Sequence, residues 1–249
     1  PLIITCRSPR EGGLFKGTEA ERLRILLQAI DAGCSYIDVE WDSALQLQRY
    51  RQSRTLFIVS RHWHAQLPDD LWTVYNQLRE MGDVVKLAGI ATRLADILPV
   101  MDILSQAKGP VIAIAMGQKG YLTRLLAPCF SHCLLTYAAL TPEAITAPGQ
   151  LSVDEMVSLY SLQRVTPATP THIHLCPNQT LADTLLHKGI KTEKQKGLFI
   201  PVVVSSQDDS ITIHSLKDYL PDLTISIDPL LDNSGGSIVE TRKSRPSIL

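Results

Sequence analysis

With 249 residues, 45% of them hydrophobic and 20% charged, and a net charge of −1, the chain is long and apolar enough for a folded pair of domains, which excludes a disordered or strongly polyionic chain. It has no basic stripe and no apolar run of about 18 or more residues, so direct nucleic-acid contact, a membrane span and a signal peptide are not expected. The five cysteines are scattered and odd in number; they read as reduced thiols and place the chain inside the cell, in cytoplasm or nucleus. In chain order, strand-like runs fall at Leu2-Cys6, Tyr36-Glu40, Thr55-Ser60, Val84-Ala88, Val111-Met116 and Cys133-Tyr137. Helical patterns lie between them at Glu19-Ala32, Asp69-Met81, Ala91-Ser105 and Tyr121-Phe130. Such alternation predicts parallel β/α units. The expected class is α/β, with an incomplete (β/α)8, TIM-like barrel across residues 1–165.

Lys86 stands alone in the apolar run Asp83-Val84-Val85-Lys86-Leu87-Ala88-Gly89-Ile90. Strand side chains alternate between faces, so Lys86 either leaves the sheet toward solvent or enters a buried interior. Burial disfavours the charged form and leaves an amine able to attack a carbonyl. Other polar residues fall where strands end: Arg7 after the first, Glu40 at the end of the second, His62 after the third and Met116-Gly117-Gln118-Lys119-Gly120 after the fifth. Barrel chemistry sits at the C-terminal ends of strands. An amine, an imidazole and guanidinium groups are therefore expected to converge on one mouth.

Four ordered segments carry a family resemblance: Thr5-Cys6-Arg7-Ser8-Pro9-Arg10-Glu11-Gly12-Gly13, Met81-Gly82-Asp83-Val84-Val85-Lys86-Leu87, Met116 through Arg124, and Thr146-Ala147-Pro148-Gly149-Gln150-Leu151-Ser152. Together they resemble type I 3-dehydroquinate dehydratase. The resemblance implies that Lys86 forms a Schiff base with a substrate ketone. His62, in Ser60-Arg61-His62-Trp63, would take the acidified proton and later return one to the departing hydroxyl, with Glu11 orienting it. Arg124 would grip the substrate carboxylate, Arg7 would contact substrate, and Thr146 and Gln150 would belong to a lid. No cofactor and no metal are implied. His132-Cys133 and Cys129 lack a second CxxC pair, and His172 and His174, on one face of a strand, read as a surface pair.

The sequence also departs from that family. The family strand bearing a Glu-Leu-Arg segment is not seen, which predicts an open barrel whose parallel edge is covered by a second copy of the chain or by another segment, with a homodimer expected. Trp63 follows His62 where the family usually has aspartate and is expected to crowd the base, or to close over the mouth with His64. Tyr121 replaces a basic or small residue.

Beyond Val165, Thr166-Pro167-Ala168-Thr169-Pro170-Thr171 reads as a linker. Residues 172–231 then read as a βαβαβ module: strand His172-Cys176, helix Thr180-Lys188 ended by Gly189, strand Leu198-Val204, helix Ser210-Leu220 and strand Leu223-Ile227. The module resembles the substrate domain of shikimate dehydrogenase. Cys176-Pro177-Asn178-Gln179-Thr180 stands for a serine-rich loop, and Leu231 occupies the position of the catalytic lysine. Residues 232–249, with Gly235-Gly236 in a loop that is not a dinucleotide turn, read as a flexible tail. A dehydratase-like barrel joined to an inert dehydrogenase-like module resembles the fungal quinate-pathway repressors. That resemblance implies a pseudoenzyme that senses a cyclitol carboxylate or holds a transcription activator protein; the alternative is an active dehydratase.

Overall fold

The computed structural model describes residues 1–51, 53–188 and 197–228. The expectations for Gly189, Leu231 and residues 232–249 lie outside the described residues. Five parallel strands form the first sheet in chain order: β1 (Ile3–Thr5), β2 (Tyr36–Glu40), β3 (Leu56–Gln66), β4 (Val84–Ile90) and β5 (Val111–Met116). The helices between them are α1 (Glu19–Asp31), the single turn α2 (Trp41–Ala44), α3 (Leu71–Arg79), α4 (Leu98–Gln106) and α5 (Tyr121–Leu126). α1 starts where Thr18 accepts from the Glu21 amide and the Glu21 carboxylate accepts in return from Thr18 N–H, a reciprocal cap that satisfies two orphan donors.

Alternation sorts the strand side chains into two layers. Ile37, Val39, Phe57, Val59, Val85, Leu87, Val111, Ala113 and Ala115 face outward into a core shared with Leu23, Leu26, Tyr75, Leu78, Met101, Leu104, Leu122 and Leu125 of the helices. Ile58, Val84, Ala88, Ile112, Ile114 and Met116 face inward, covered by Leu134, Leu135 and Tyr137. The sheet, buried on both faces, is a partial TIM-like barrel wall.

The expected sixth strand at Cys133-Tyr137 is reduced to one parallel bridge, Val111 with Cys133, and the Leu134 amide bonded to the Val111 carbonyl. Beyond it, consecutive Leu134 and Leu135 both turn into the inner cluster, which a regular strand forbids because neighbours there point to opposite faces. β3 differs in the other direction. It runs past the expected Ser60 to Gln66, because residues 61–66 keep pairing with β4 after β2 has ended.

The second sheet, in order β7–β6–β8, is also parallel: β6 (Thr171–Cys176), β7 (Leu198–Val203) and β8 (Thr224–Ile227), with α6 (Gln179–Lys188) and α7 (Gln207–Ser215) in its crossovers. Its first strand begins at Thr171, the last residue of the segment read as linker. The rest of that segment is an exposed turn closed by Thr166 and Thr169. Ile173, Leu175, Ile200, Val202 and Ile213 belong to the same continuous buried cluster as the outer layer of the barrel wall. Tyr121 adds a polar tie, its hydroxyl donating to the Pro201 carbonyl at 3.4 Å. Among the described residues no helix is long and apolar enough to cross a membrane.

Candidate active site

The site is built from the inward positions of β2, β3 and β4. In Tyr36-Ile37-Asp38-Val39-Glu40 the apolar Ile37 and Val39 take the outer core, so Asp38 and Glu40 point inward, each only 1% exposed. Buried carboxylates need partners. Asp38 has three: the Arg7 guanidinium at 2.6 Å, the Ser60 hydroxyl at 2.6 Å and the Lys86 ammonium at 2.7 Å. Burial opposes its ionisation, but the Lys86 and Arg7 cations outweigh that and hold its carboxyl below the usual range.

Lys86 thus enters the interior, where its ammonium also lies 4.6 Å from the centre of the Tyr137 ring. Of the two alternatives the sequence left open, solvent or interior, this is the interior one. The amine is matched there with the Asp38 carboxylate at 2.7 Å.

Glu40 accepts from the Ser8 amide at 2.7 Å and from Arg22 at 2.5 Å, with Arg7 at 3.4 Å. Arg22, itself 1% exposed, also holds the Cys6 carbonyl, Glu19 and Ser43. This network fixes the end of β1 and the loop that carries Arg7 and Glu11.

On that loop, one oxygen of Glu11 accepts from the His62 backbone N–H at 3.1 Å and lies 2.8 Å from its Nδ1. With Glu11 ionised, Nδ1 is the protonated nitrogen and Nε2 keeps its lone pair, the tautomer a general base requires. Burial and the nearby Arg7 and Lys86 cations push the imidazole down to about 2, so it is neutral near pH 7. Burial, only partly offset by Arg7, pushes Glu11 up to about 7. Gly12 beside it has φ +81°, a conformation that favours glycine, and lies against the His64 ring, which an added Cβ would meet at 2.3 Å.

His64 therefore rests on the Glu11 loop. Trp63 does not join it. Its side chain packs with the outer core and under Arg61, so the expected crowding of His62 is corrected by strand alternation, which sends residues 62 and 63 to opposite faces.

Arg124, on α5, is 2% exposed; one of its nitrogens donates to the Tyr137 carbonyl at 3.4 Å, and its Nε has no partner. Burial without a carboxylate pushes this guanidinium down to about 10. A buried, unmatched guanidinium is costly unless an anion completes it. Thr146 and Gln150 bond each other, the Gln150 side-chain carbonyl accepting from the Thr146 amide at 3.0 Å and its hydroxyl at 3.1 Å. Their loop is docked on the turn after β5, where the Gly117 amide donates to Pro148 and Gly149, at φ +70°, lies so close that a Cβ would meet the Gly117 carbonyl at 2.1 Å.

Sequence reading missed Asp38, Ser60 and Tyr137 and left Glu40 without a role. The signal for Asp38 was present: an acid inside an apolar strand poses the same question as Lys86. Tyr137 had none, because its placement depends on the chain leaving the sheet after Cys133. Among the described residues no three histidine, cysteine or acidic side chains are grouped to hold a metal. His172 and His174 share the Ser226 hydroxyl.

A parallel barrel wall that brings a buried amine, a neutral imidazole and two guanidinium groups to the C-terminal ends of its strands has the chemistry to hold an anionic carbonyl compound. The chain belongs to the type I 3-dehydroquinase family, whose pattern it matches over residues 1–167. It is 32% identical over 169 residues to the 3-dehydroquinate dehydratase of Methanocaldococcus jannaschii, covering 65% of this chain and 76% of that protein. It is 28% identical over 228 residues to the chloroplastic bifunctional 3-dehydroquinate dehydratase/shikimate dehydrogenase of Arabidopsis thaliana, covering 88% of this chain, and so reaching into the second sheet, but only 38% of that protein. Among solved structures, the 3-dehydroquinate dehydratase of Geobacillus kaustophilus superposes with a TM-score of 0.57 at 26% identity, over 64% of this chain and 65% of that one.

Proposed function

We propose that the site performs type I 3-dehydroquinate dehydration through an imine on Lys86. The observation that carries this reading is the joint presence of Lys86, paired to Asp38, and His62, paired through Nδ1 to Glu11. The Lys86 amine adds to the ketone and water leaves, giving an iminium whose positive nitrogen acidifies the adjacent C–H. The free Nε2 of His62 takes that proton, and returns one to the hydroxyl that departs as water. Hydrolysis of the product imine restores Lys86. Arg124 supplies the buried cation for the substrate carboxylate.

A second reading keeps the ligand and drops the turnover: a regulatory domain of the fungal quinate-repressor kind, sensing a cyclitol acid and holding a transcription activator protein. Favouring it is the short connection after β6, where Asn178 accepts from the Leu181 amide to start α6 at Gln179, so that the loop is spent on a helix cap. Borohydride trapping with 3-dehydroquinate, read beside turnover, separates the two. An adduct with turnover supports the dehydratase, an adduct without turnover supports the sensor, and neither adduct nor binding overturns both.

The Glu11 shift gives a pH signature. Protonated Glu11 would donate to Nδ1 and put the imidazole proton on Nε2, so the base works only with Glu11 ionised. Dehydration is expected to rise with pH through about 7 and Glu11→Gln, which accepts from Nδ1 at any pH, should flatten that limb. Stability should move the other way. The folded carboxyl titrates above its ordinary value of 4.5, so its contribution is full below that value and is lost as pH rises through about 7. A rate profile independent of pH in the wild type would remove this role for Glu11.

A further inference from the structure

The catalytic base sits beyond the end of β2, on a stretch of β3 whose only strand partner is β4. β2 pairs with β3 only as far as Glu40 with Ser60. From residue 61 onward β3 has a neighbour on one side alone, and even that pairing shifts register between Trp63 and Gln66. A one-sided, irregular strand end is a poor mount for a group that has to be held within a fraction of an ångström. In place of β2, the Glu11 carboxylate takes the His62 N–H on the inner side, and a stack of side chains lies on the outer side. Trp41, the residue after Glu40, lies against one part of the Arg61 guanidinium at 4.8 Å from ring centre to Cζ, and Trp63 lies against another at 5.2 Å.

Among the described residues no carboxylate pairs with Arg61, so the guanidinium is held by rings rather than by charge. Residues 61 and 63 flank His62 and share the outer face. Trp41, at the start of α2, anchors Arg61, and Arg61 in turn packs on Trp63, which ties down the backbone on both sides of His62. On the inner face Glu11 then holds the imidazole and the His62 amide.

Resting on the dehydratase reading, we propose that the Trp41–Arg61–Trp63 stack is a positioning device for His62. It stands in for the missing β2 pairing and sets the angle at which Nε2 meets the substrate proton. None of the three touches substrate or the reacting atoms.

The test uses the full chain with Arg61→Ala, Arg61→Lys and Trp41→Leu. It combines steady-state kinetics on 3-dehydroquinate, borohydride trapping, and nitrogen NMR of the imidazole rings, with His62 assigned among the seven histidines by His62→Gln. In Arg61→Ala, kcat should fall about tenfold to a hundredfold while KM stays within about twofold, because the base is displaced and the anion contacts are kept. The Lys86 adduct should still form. Recorded well above pH 7, where Glu11 is ionised, the His62 ring should pass from a single Nδ1-protonated tautomer to an exchange-averaged signal, and Arg61→Lys, which keeps a cation beside the rings, should regain most of the rate. Trp41→Leu should behave as Arg61→Ala.

An unchanged kcat together with an unchanged His62 spectrum in both Arg61→Ala and Trp41→Leu would overturn the proposal, as would an equal loss of the Lys86 adduct, which marks general misfolding. Should the wild type show no turnover, the dehydratase reading fails on its own, and the His62 spectra still decide whether the stack holds the ring.

Discussion

Lys86→Ala is expected to abolish the borohydride-stable adduct with 3-dehydroquinate and to reduce dehydration to background. The amine is the only described group at the inward end of β4 able to form an imine, and it is held at 2.7 Å from Asp38 inside the barrel wall. The variant should remain folded, since Asp38 keeps Arg7 and Ser60 as partners. His62→Ala should behave differently. Its adduct should persist while turnover falls by about 10²- to 10⁴-fold, the usual worth of a positioned acid–base group. Mass spectrometry of the trapped protein places the adduct. Modification of Lys119, whose side chain is 43% exposed and whose ammonium is paired with Asp209 at 3.7 Å, in place of Lys86, or turnover surviving in Lys86→Ala, would sink the imine mechanism.

The second large effect is on stability. Arg22→Met removes the cation that Glu40, Glu19, Ser43 and the Cys6 carbonyl all share. Glu40, 1% exposed, keeps the Ser8 amide at 2.7 Å but has only the longer Arg7 contact at 3.4 Å as a cation. Stranding a buried charge in this way costs about 3–5 kcal/mol. For a domain of this size that is a fall in melting temperature of roughly 10 °C. Adding Glu40→Gln to the same chain removes the stranded charge and should return a substantial part of the loss, because two neutral groups tolerate burial better than one unpaired ion. Urea titrations of the three proteins measure both steps. A double variant no more stable than Arg22→Met alone would show that Arg22 acts through packing and the Cys6 carbonyl instead of through Glu40.

Much of this was legible in the chain itself. Apolar and polar residues alternating at a period of two, separated by capped helical stretches, fix parallel β/α units because strand geometry leaves little choice. The same alternation, with the order of the segments, puts Arg7, His62 and Lys86 in or just beyond strands, and Arg124 on the helix that follows β5. It also decides Trp63: residues adjacent in a strand are not adjacent in space, and reading them as neighbours misplaces the indole beside the base.

Tertiary structure alone decided the rest. Whether Lys86 faced solvent or the interior depended on which side of the wall the helices covered, and its partner Asp38 lies 48 residues away. Local propensity carries no information about a pairing of that range. The length of β3 was set by its neighbour β4 and not by its own composition. The segment after Cys133 read as a strand because its residues are apolar, yet the inner face of the open wall offered Leu134, Leu135 and Tyr137 more burial than a sheet edge would. The Pro/Thr segment reads as a break between two units. Yet Ile173, Leu175 and Ile213 beyond it complete the same buried cluster as Leu122 and Leu125, since an apolar face is covered by whatever surface fits it, however far along the chain that surface was made.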